Sequence, residues 1–267
     1  MKVALVAGVK QENTTLREWV EHCLSIGFDH LLLWDNNFKD GEHPEDVLDG
    51  LFDRVEIRDI RGQRVQQLKR FNESYRELSG EYDWLAFFDA DEWLVLNQDS
   101  NVKDYLSRFP ENVSCVHVNW KMYGDNGHLH PTGEPTFEQF PEPCPYDTLV
   151  QYSWPEDEHV KTIVRTNKDA VFGNPHFCTV RGDVVNNAGD PVANTYRCPV
   201  NYDIAELRHY QMRSTEEFCR RRLARGWDQF DGSVHNAPQQ IKRYFAQSEW
   251  TREKQDLIDS FIKGDWR

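Results

Sequence analysis

Apolar residues along the first hundred positions alternate between strand and helix rhythms. Val3 to Val9 is a continuous apolar run, the pattern of a strand covered on both faces. Thr15 with Glu18 three residues later has the form of a capping box. Leu16, Trp19, Val20, Cys23 and Leu24 then recur at helical spacing until Gly27. His30 to Trp34 predicts a second strand, closing on Asp35-Asn36-Asn37. Strand, helix, strand in this length predicts a βαβ unit with parallel strands and a right-handed crossover. Glu42 to Phe52 predicts a short helix and Val55 to Arg58 a third strand. Val65, Leu68, Asn72, Tyr75 and Leu78 mark one face of the next helix, which Ser79-Gly80 stops. Trp84 to Phe88 is a fourth, fully apolar strand. The alternation predicts an α/β fold of the nucleotide-binding kind, with its chemistry at the strand C-termini.

Past Asn97 the rhythm changes. Val102 to Phe109 reads as helix and Val113 to Trp120 as strand. Tyr123 to Tyr152 carries Gly, Pro and His with little periodicity, and a loop that long is functional or flexible. Lys161 to Arg165 reads as strand, Asn174 to Phe177 as a turn, and Ile204 to Tyr210 as strand. Ser214 caps a helix from Thr215 to about Arg225. Ile241 to Ile262 predicts a last helix with Trp250, Leu257, Ile258 and Phe261 on its apolar face. No internal repeat or low-complexity linker interrupts the chain, so residues 1–267 are expected to form a single domain.

Composition narrows the function. A chain of 267 residues can bury one substantial core. Acidic residues outnumber basic ones 45 to 31, a formal net charge of -14, which argues against nucleic acid as partner. The six cysteines form no CxxC pair and no metal spacing with His, as expected of reduced, buried thiols in a cytoplasmic protein. Met1-Lys2 leads straight into the first strand, and no apolar run is long enough to span a membrane. At most peripheral membrane contact is expected.

The candidate chemistry gathers where the fourth strand ends, in Asp89-Ala90-Asp91-Glu92-Trp93. In extended chain, residues i and i+2 point the same way, so Asp89 and Asp91 are expected to converge on one ligand. Two hard anionic oxygens suit a Mn²⁺ or Mg²⁺ that bridges a diphosphate; the competing expectation is a solvated acidic turn. Glu12 and Asp35 fall at the ends of the first two strands, beside the same edge, though Glu12 also suits a helix start and Asp35 a turn cap. A sugar-phosphate nucleotidyltransferase would want a Gly-rich loop after the first strand, where only Gly8 stands. An Asp-x-Asp phosphatase would want Thr or Val where Trp93 stands. A non-catalytic nucleotide- or sugar-binding protein remains a third alternative.

Several blocks together resemble the glycosyltransferase family 2-like and family 92 group. They are Leu16 to His22, Trp34 to Asn37, Gln67 to Asn72, Asp83 to Trp93, Trp120-x-x-Tyr123-Gly124-x-x-Gly127, Val160 to Arg165, Pro175-His176-Phe177 and Leu207 to Phe218. The resemblance runs over nearly the whole chain and in order. It implies a GT-A fold, with a mostly parallel central sheet, a smaller acceptor-side β region and C-terminal helices. It also implies metal-dependent transfer, with inversion, from a nucleotide sugar to a glycan or other hydroxyl acceptor, a UDP-sugar being favoured over a GDP-sugar. On this basis residues 1–97 are the donor half and 98–267 the acceptor half. Gly8, Glu12, Asp35, Gln67, Asp89, Lys161 and Arg213 are expected at the donor. Asp89, Asp91 and His209 are expected at the metal, and Trp120, Gly127 and His176 at the acceptor. Lys161 and Arg165 share a strand face, ready for phosphates or for Asp157 and Glu158. The base that takes the acceptor's proton is open among Asp125, Asp157, Glu158 and His159. The stretch from His128 to Tyr146 departs from the group's pattern, which leaves the acceptor undefined.

Overall fold

The computed structural model describes residues 1–63, 66–145, 155–223 and 237–264. The chain packs as two compact units that interleave in sequence. One comprises Met1–Trp120 and Asp157–Arg208, the other Lys121–Glu156 and His209–Arg267.

The first unit is built on a mixed sheet. Its opening strands are β1 (Val3–Val9), β2 (His30–Asp35), β3 (Val55–Asp59) and β4 (Trp84–Asp89), as the apolar runs predict. β1 lies between β2 and β4 and is parallel to both, and β2 is parallel to β3. Helices α1 (Asn13–Ser25) and α2 (Gln67–Leu78) provide the crossovers. The α1 start differs from the capping-box expectation. Glu12 occupies the N-cap without a side-chain capping bond, and its carbonyl accepts from Thr15 and Leu16. The helix expected over Glu42–Phe52 shrinks to a single 3₁₀ turn at Pro44–Asp46. Pro44 holds His43 extended, and Gly50 turns left-handed at φ 81°.

Two residues past β4 the chain re-enters the sheet as β5 (Glu92–Leu96), a strand that the sequence pattern does not reveal. After α3 (Val102–Ser107), β6 (Val113–Met122) and β7 (Val160–Arg165) run antiparallel to each other, and β7 is antiparallel to β4. A hairpin of β8 (Val171–Phe172) and β9 (Cys178–Thr179) follows. Then come β10 (Asp183–Asn186), beside β6, and β11 (Ala205–His209). The strand order is β3-β2-β1-β4-β7-β6-β11-β5. Between this sheet and α2 lies a core of Leu32, Trp34, Phe71, Tyr75, Phe87 and Phe172.

The second unit is mainly helical. It holds α4 (Thr136–Gln139), α5 (Thr215–Phe218) with a π-helical turn at Cys219–Leu223, α6 (Ala237–Gln247) and α7 (Arg252–Lys263). Ser214 caps α5 in a full capping box with Glu217, as expected. The single helix expected over Ile241–Ile262 is two. Thr251 accepts from the Lys254 amide and starts α7 afresh, so Trp250 lies in the break and is 58% exposed rather than packed on an apolar face. Met212, Phe218, Cys219, Leu223, Tyr244 and Ile258 form the core. Residues 146–152 of the expected irregular stretch and 224–225 of the expected helix lie outside the described residues. All six cysteines are free and buried, and no described helix is long and apolar enough to cross a membrane.

Candidate active site

Asp89 ends β4, in register with Gly8 of β1. A Cβ added at Gly8 would meet nothing within 4 Å, so the backbone beside Asp89 borders open space. Both carboxylate oxygens of Asp89 are oriented. Gln67 Nε2, from the first turn of α2, donates to Oδ1 at 2.8 Å, and Lys161 Nζ, from β7, donates to Oδ2 at 2.7 Å. The same ammonium lies 3.5 Å from Glu92 Oε1, and Glu92 Oε2 accepts from the Asp89 amide at 3.0 Å. Asp89, Gln67 and Lys161, three residues far apart in sequence, therefore meet at one strand end.

The electrostatics of this knot are set by burial. Lys161 and Glu92 are almost wholly buried, whereas the Asp89 side chain is about a third exposed. Burial pushes the Glu92 carboxyl well above its usual range; the charges of Asp89 and Asp91 add to this, and Lys161 opposes it. For Lys161 burial works against the charged form, but Asp89, Glu92 and Asp91 together outweigh it and hold the ammonium above its ordinary value. Asp91 is not in extended chain: Ala90 and Asp91 form the turn from β4 to β5, so the same-face argument from strand geometry does not apply to it. It is buried at 3% exposure.

The residues fit a divalent cation only as part of a larger set. Among the described residues no group of three or more His, Cys, Asp or Glu side chains is placed to hold a metal. A cation bridging a diphosphate needs one or two carboxylates, the rest of its shell being phosphate oxygens and water. A carboxylate has about four lone-pair sites, so Asp89 retains acceptor capacity beyond Gln67 and Lys161.

A second gathering in the same unit is aromatic. Trp120, at 6% exposure, stacks on His159 at 5.2 Å and meets His176 edge-on at 5.0 Å, while His159 lies 5.4 Å from Tyr196. Trp120, His159 and His176 were singled out separately in the sequence; Tyr196, 42% exposed, carries no motif that would mark it. His159 bridges to Arg197 just ahead of β7, so its side chain and that of Lys161, two residues on, leave the extended chain on the same side.

The chain's origin follows from its sequence as a whole. The model of glycosyltransferase family 92 matches residues 3–253. The chain belongs to glycosyltransferase family 92. This family 92 chain is accordingly a glycosyltransferase enzyme with a mixed α/β fold. Among curated proteins none matches it. Solved structures are similar only loosely. S. aureus TarS 1–349 is 14% identical at a TM-score of 0.42, covering 98% of this chain and 71% of that one; against a longer S. aureus TarS chain the share is 43%. Glucosyl-3-phosphoglycerate synthase from Mycobacterium tuberculosis, solved with Mn²⁺ and UDP, is 12% identical at 0.33, covering 62% and 57%. Likeness at this level carries no site detail to the present chain.

The other expected residues of the family 92 chain are placed as follows. Asp35 is fully buried; its Oδ1 takes the Asn37 amide and side chain, and Oδ2 lies 2.6 Å from Arg61 Nε. It organises the loop after β2, and Asn37 Oδ1 in turn holds the Gln11 amide at 2.7 Å. Glu12 is buried at the head of α1. Asp157 and Glu158 lie in a 3₁₀ turn before His159, and the partner of Lys161 is Asp89 rather than either of them. Arg165 instead covers the Trp84 ring at 4.2 Å. In the second unit Arg213 is fully buried near Glu217, and His209 is buried. Asp125 is 1% exposed there and closely held. Lys254 Nζ lies 2.7 Å from Oδ2, the Tyr244 hydroxyl donates to the same oxygen, and the Gly127 amide donates to Oδ1.

Proposed function

We propose that the chain moves a glycosyl group, with inversion, from a nucleotide sugar to a hydroxyl acceptor, that a UDP-sugar is the preferred donor, and that the donor diphosphate seats at Asp89. The observation that carries this reading is the convergence of Gln67, Lys161 and Glu92 on Asp89 beside the open backbone at Gly8. Asp89, with Asp91 in the following turn, would hold Mn²⁺ or Mg²⁺, which when bound offsets charge on the leaving diphosphate. Lys161 brings a fixed positive charge to the same place and shares that task. Gln67 keeps the Asp89 carboxylate from rotating. Asp35 acts on the donor site through the loop it fastens, since its own oxygens are committed to Asn37 and Arg61.

His159 is the base this reading selects. It is part-exposed, lies on the Lys161 side of the chain, and rests against Trp120 and His176, whose rings suit a sugar face. Asp125 is the poorest of the four candidates because Lys254, Tyr244 and Gly127 already hold it. Imidazole is the side chain best suited to accept a proton near neutrality.

Thermal melts with UDP or GDP, with and without Mn²⁺, test the donor assignment. UDP and Mn²⁺ together should raise the melting temperature more than either alone, by mass action on the folded state. Asp91→Ala should fold and lose that gain, and an undiminished gain would sink the metal assignment. His159→Gln should keep the UDP gain while transfer falls by roughly 10²–10⁴-fold.

A further inference from the structure

The rings around His159 end at a cation that the chain does not pair. Trp120, His159, His176 and Tyr196 pack with neighbouring centroids 5.0–6.4 Å apart. Arg197 lays its guanidinium over the Tyr196 ring at 5.2 Å. Among the described arginines of the first unit, every other one pairs with a carboxylate or donates to a backbone carbonyl. Arg61 lies on Asp35 and Arg108 on Asp99, while Arg165 holds carbonyls. Arg197 does neither: it makes no ion pair, and its Nε has no hydrogen-bond partner. Asp157 and Glu158, in the turn ahead of His159, form no ion pair with it. In a chain with 45 acidic residues against 31 basic ones, a cation left unpaired is available to an anion from outside.

Backbone pairing fixes where this cation stands. Arg197 is directly opposite His159 in an antiparallel bridge, with the Cys198 amide on the Glu158 carbonyl and the Val160 amide on the Tyr196 carbonyl. That pattern makes His159 and Arg197 a non-hydrogen-bonded pair, whose side chains share a face with Cβ atoms roughly 5 Å apart. Lys161 follows on the same side, but its ammonium is committed to Asp89 and Glu92. Tyr196 is exposed and Arg197 half-buried, so an anion from solvent can reach the guanidinium. The planar guanidinium matches a carboxylate or a phosphate with two parallel hydrogen bonds, and the rings beside it suit a sugar face. A neutral glycan would use the rings alone, and one bearing an oxyanion would use both.

We propose that Arg197 is a specificity-determining residue. It selects acceptor glycans that carry an oxyanion, a carboxylate or a phosphate, beside the sugar ring that these aromatics hold. The proposal rests on the acceptor reading of His159 and its rings, but its test needs no turnover. The full chain, saturated with UDP and Mn²⁺, is applied to an array of matched neutral, amino-bearing, uronate-bearing and phosphorylated glycans. The strongest anionic hit and its neutral counterpart are then titrated calorimetrically at low and high NaCl. Anionic glycans should lead, and the class that leads, uronate or phosphate, names the source of the oxyanion. Arg197→Gln should weaken the anionic hit by roughly tenfold or more, toward its neutral counterpart, while UDP affinity holds. In the parent, NaCl should weaken the anionic hit and spare the neutral one, which tests the charge without any variant. Hits led by neutral or amino-bearing glycans, no hits, a salt-insensitive anionic hit, or anionic binding unchanged in Arg197→Gln would overturn the proposal. Unimpaired transfer to the anionic hit by His159→Gln would instead count against His159 as base and leave selection by Arg197 standing.

Discussion

Single side chains in this protein carry unusual burdens, and three of them make sharp expectations. Lys161 occupies an Asp89 oxygen and repels cations, so Lys161→Met should weaken UDP binding in the presence of Mn²⁺. It should also strengthen the binding of Mn²⁺ alone, as read by electron paramagnetic resonance. Equal Mn²⁺ affinity in variant and parent would show that the ammonium does not compete. Gly124 is fixed by close approach: a Cβ there would lie 2.0 Å from the Gln247 carbonyl oxygen. Gly124→Ala should cost on the order of 1–3 kcal/mol in urea melts, as overpacking does. His117 is fully buried, and burial pushes it down to about 4 against the pull of Asn194. Between pH 6.5 and about 4 the unfolded chain therefore holds a proton that the folded one does not. Stability due to this group is complete above pH 6.5, falls as pH drops, and levels off below about 4, a loss of roughly 3 kcal/mol. Urea melts across this range should show that slope in the parent and a shallower one in His117→Leu.

Secondary-structure elements were legible wherever one periodicity persisted and failed where a neighbour decided the outcome. β1, β2 and β4 are continuous apolar runs, and their bounds read almost directly from the sequence. β5 escaped notice because Glu92 sits so soon after Asp89 that three carboxylates look like the end of order. In the fold Glu92 is the buried start of a new strand, and its backbone carbonyl accepts from Trp19 Nε1 at 2.7 Å. The break between α6 and α7 contains no Pro or Gly and is marked only by Thr251 in its capping role. Thr251→Ala should lower stability by about 1 kcal/mol if that cap sets the boundary, and denaturant melts would read a value near zero if packing alone sets it. The candidate site was legible residue by residue, in Gln67, Asp89 and Lys161. Their pairing was not, because Lys161 and Asp89 are 72 positions apart and meet only through the β4–β7 antiparallel register. No local pattern encodes such a contact.

At the scale of the whole molecule, the two units divide the sequence differently from a cut near Asn97. The first unit carries the carboxylate knot and the Trp120, His159 and His176 rings. If the donor is recognised at this knot, it should leave its footprint there in amide hydrogen exchange. UDP with Mn²⁺ should slow exchange at the end of β4, in the β4–β5 turn, at the start of α2 and in β7, because ordering Asp89 and Lys161 suppresses local opening there. Asp91→Ala should remain folded and lose this footprint. A nucleotide footprint centred on Gly124–Cys144 would move the donor site into the second unit and end the assignment built on Asp89.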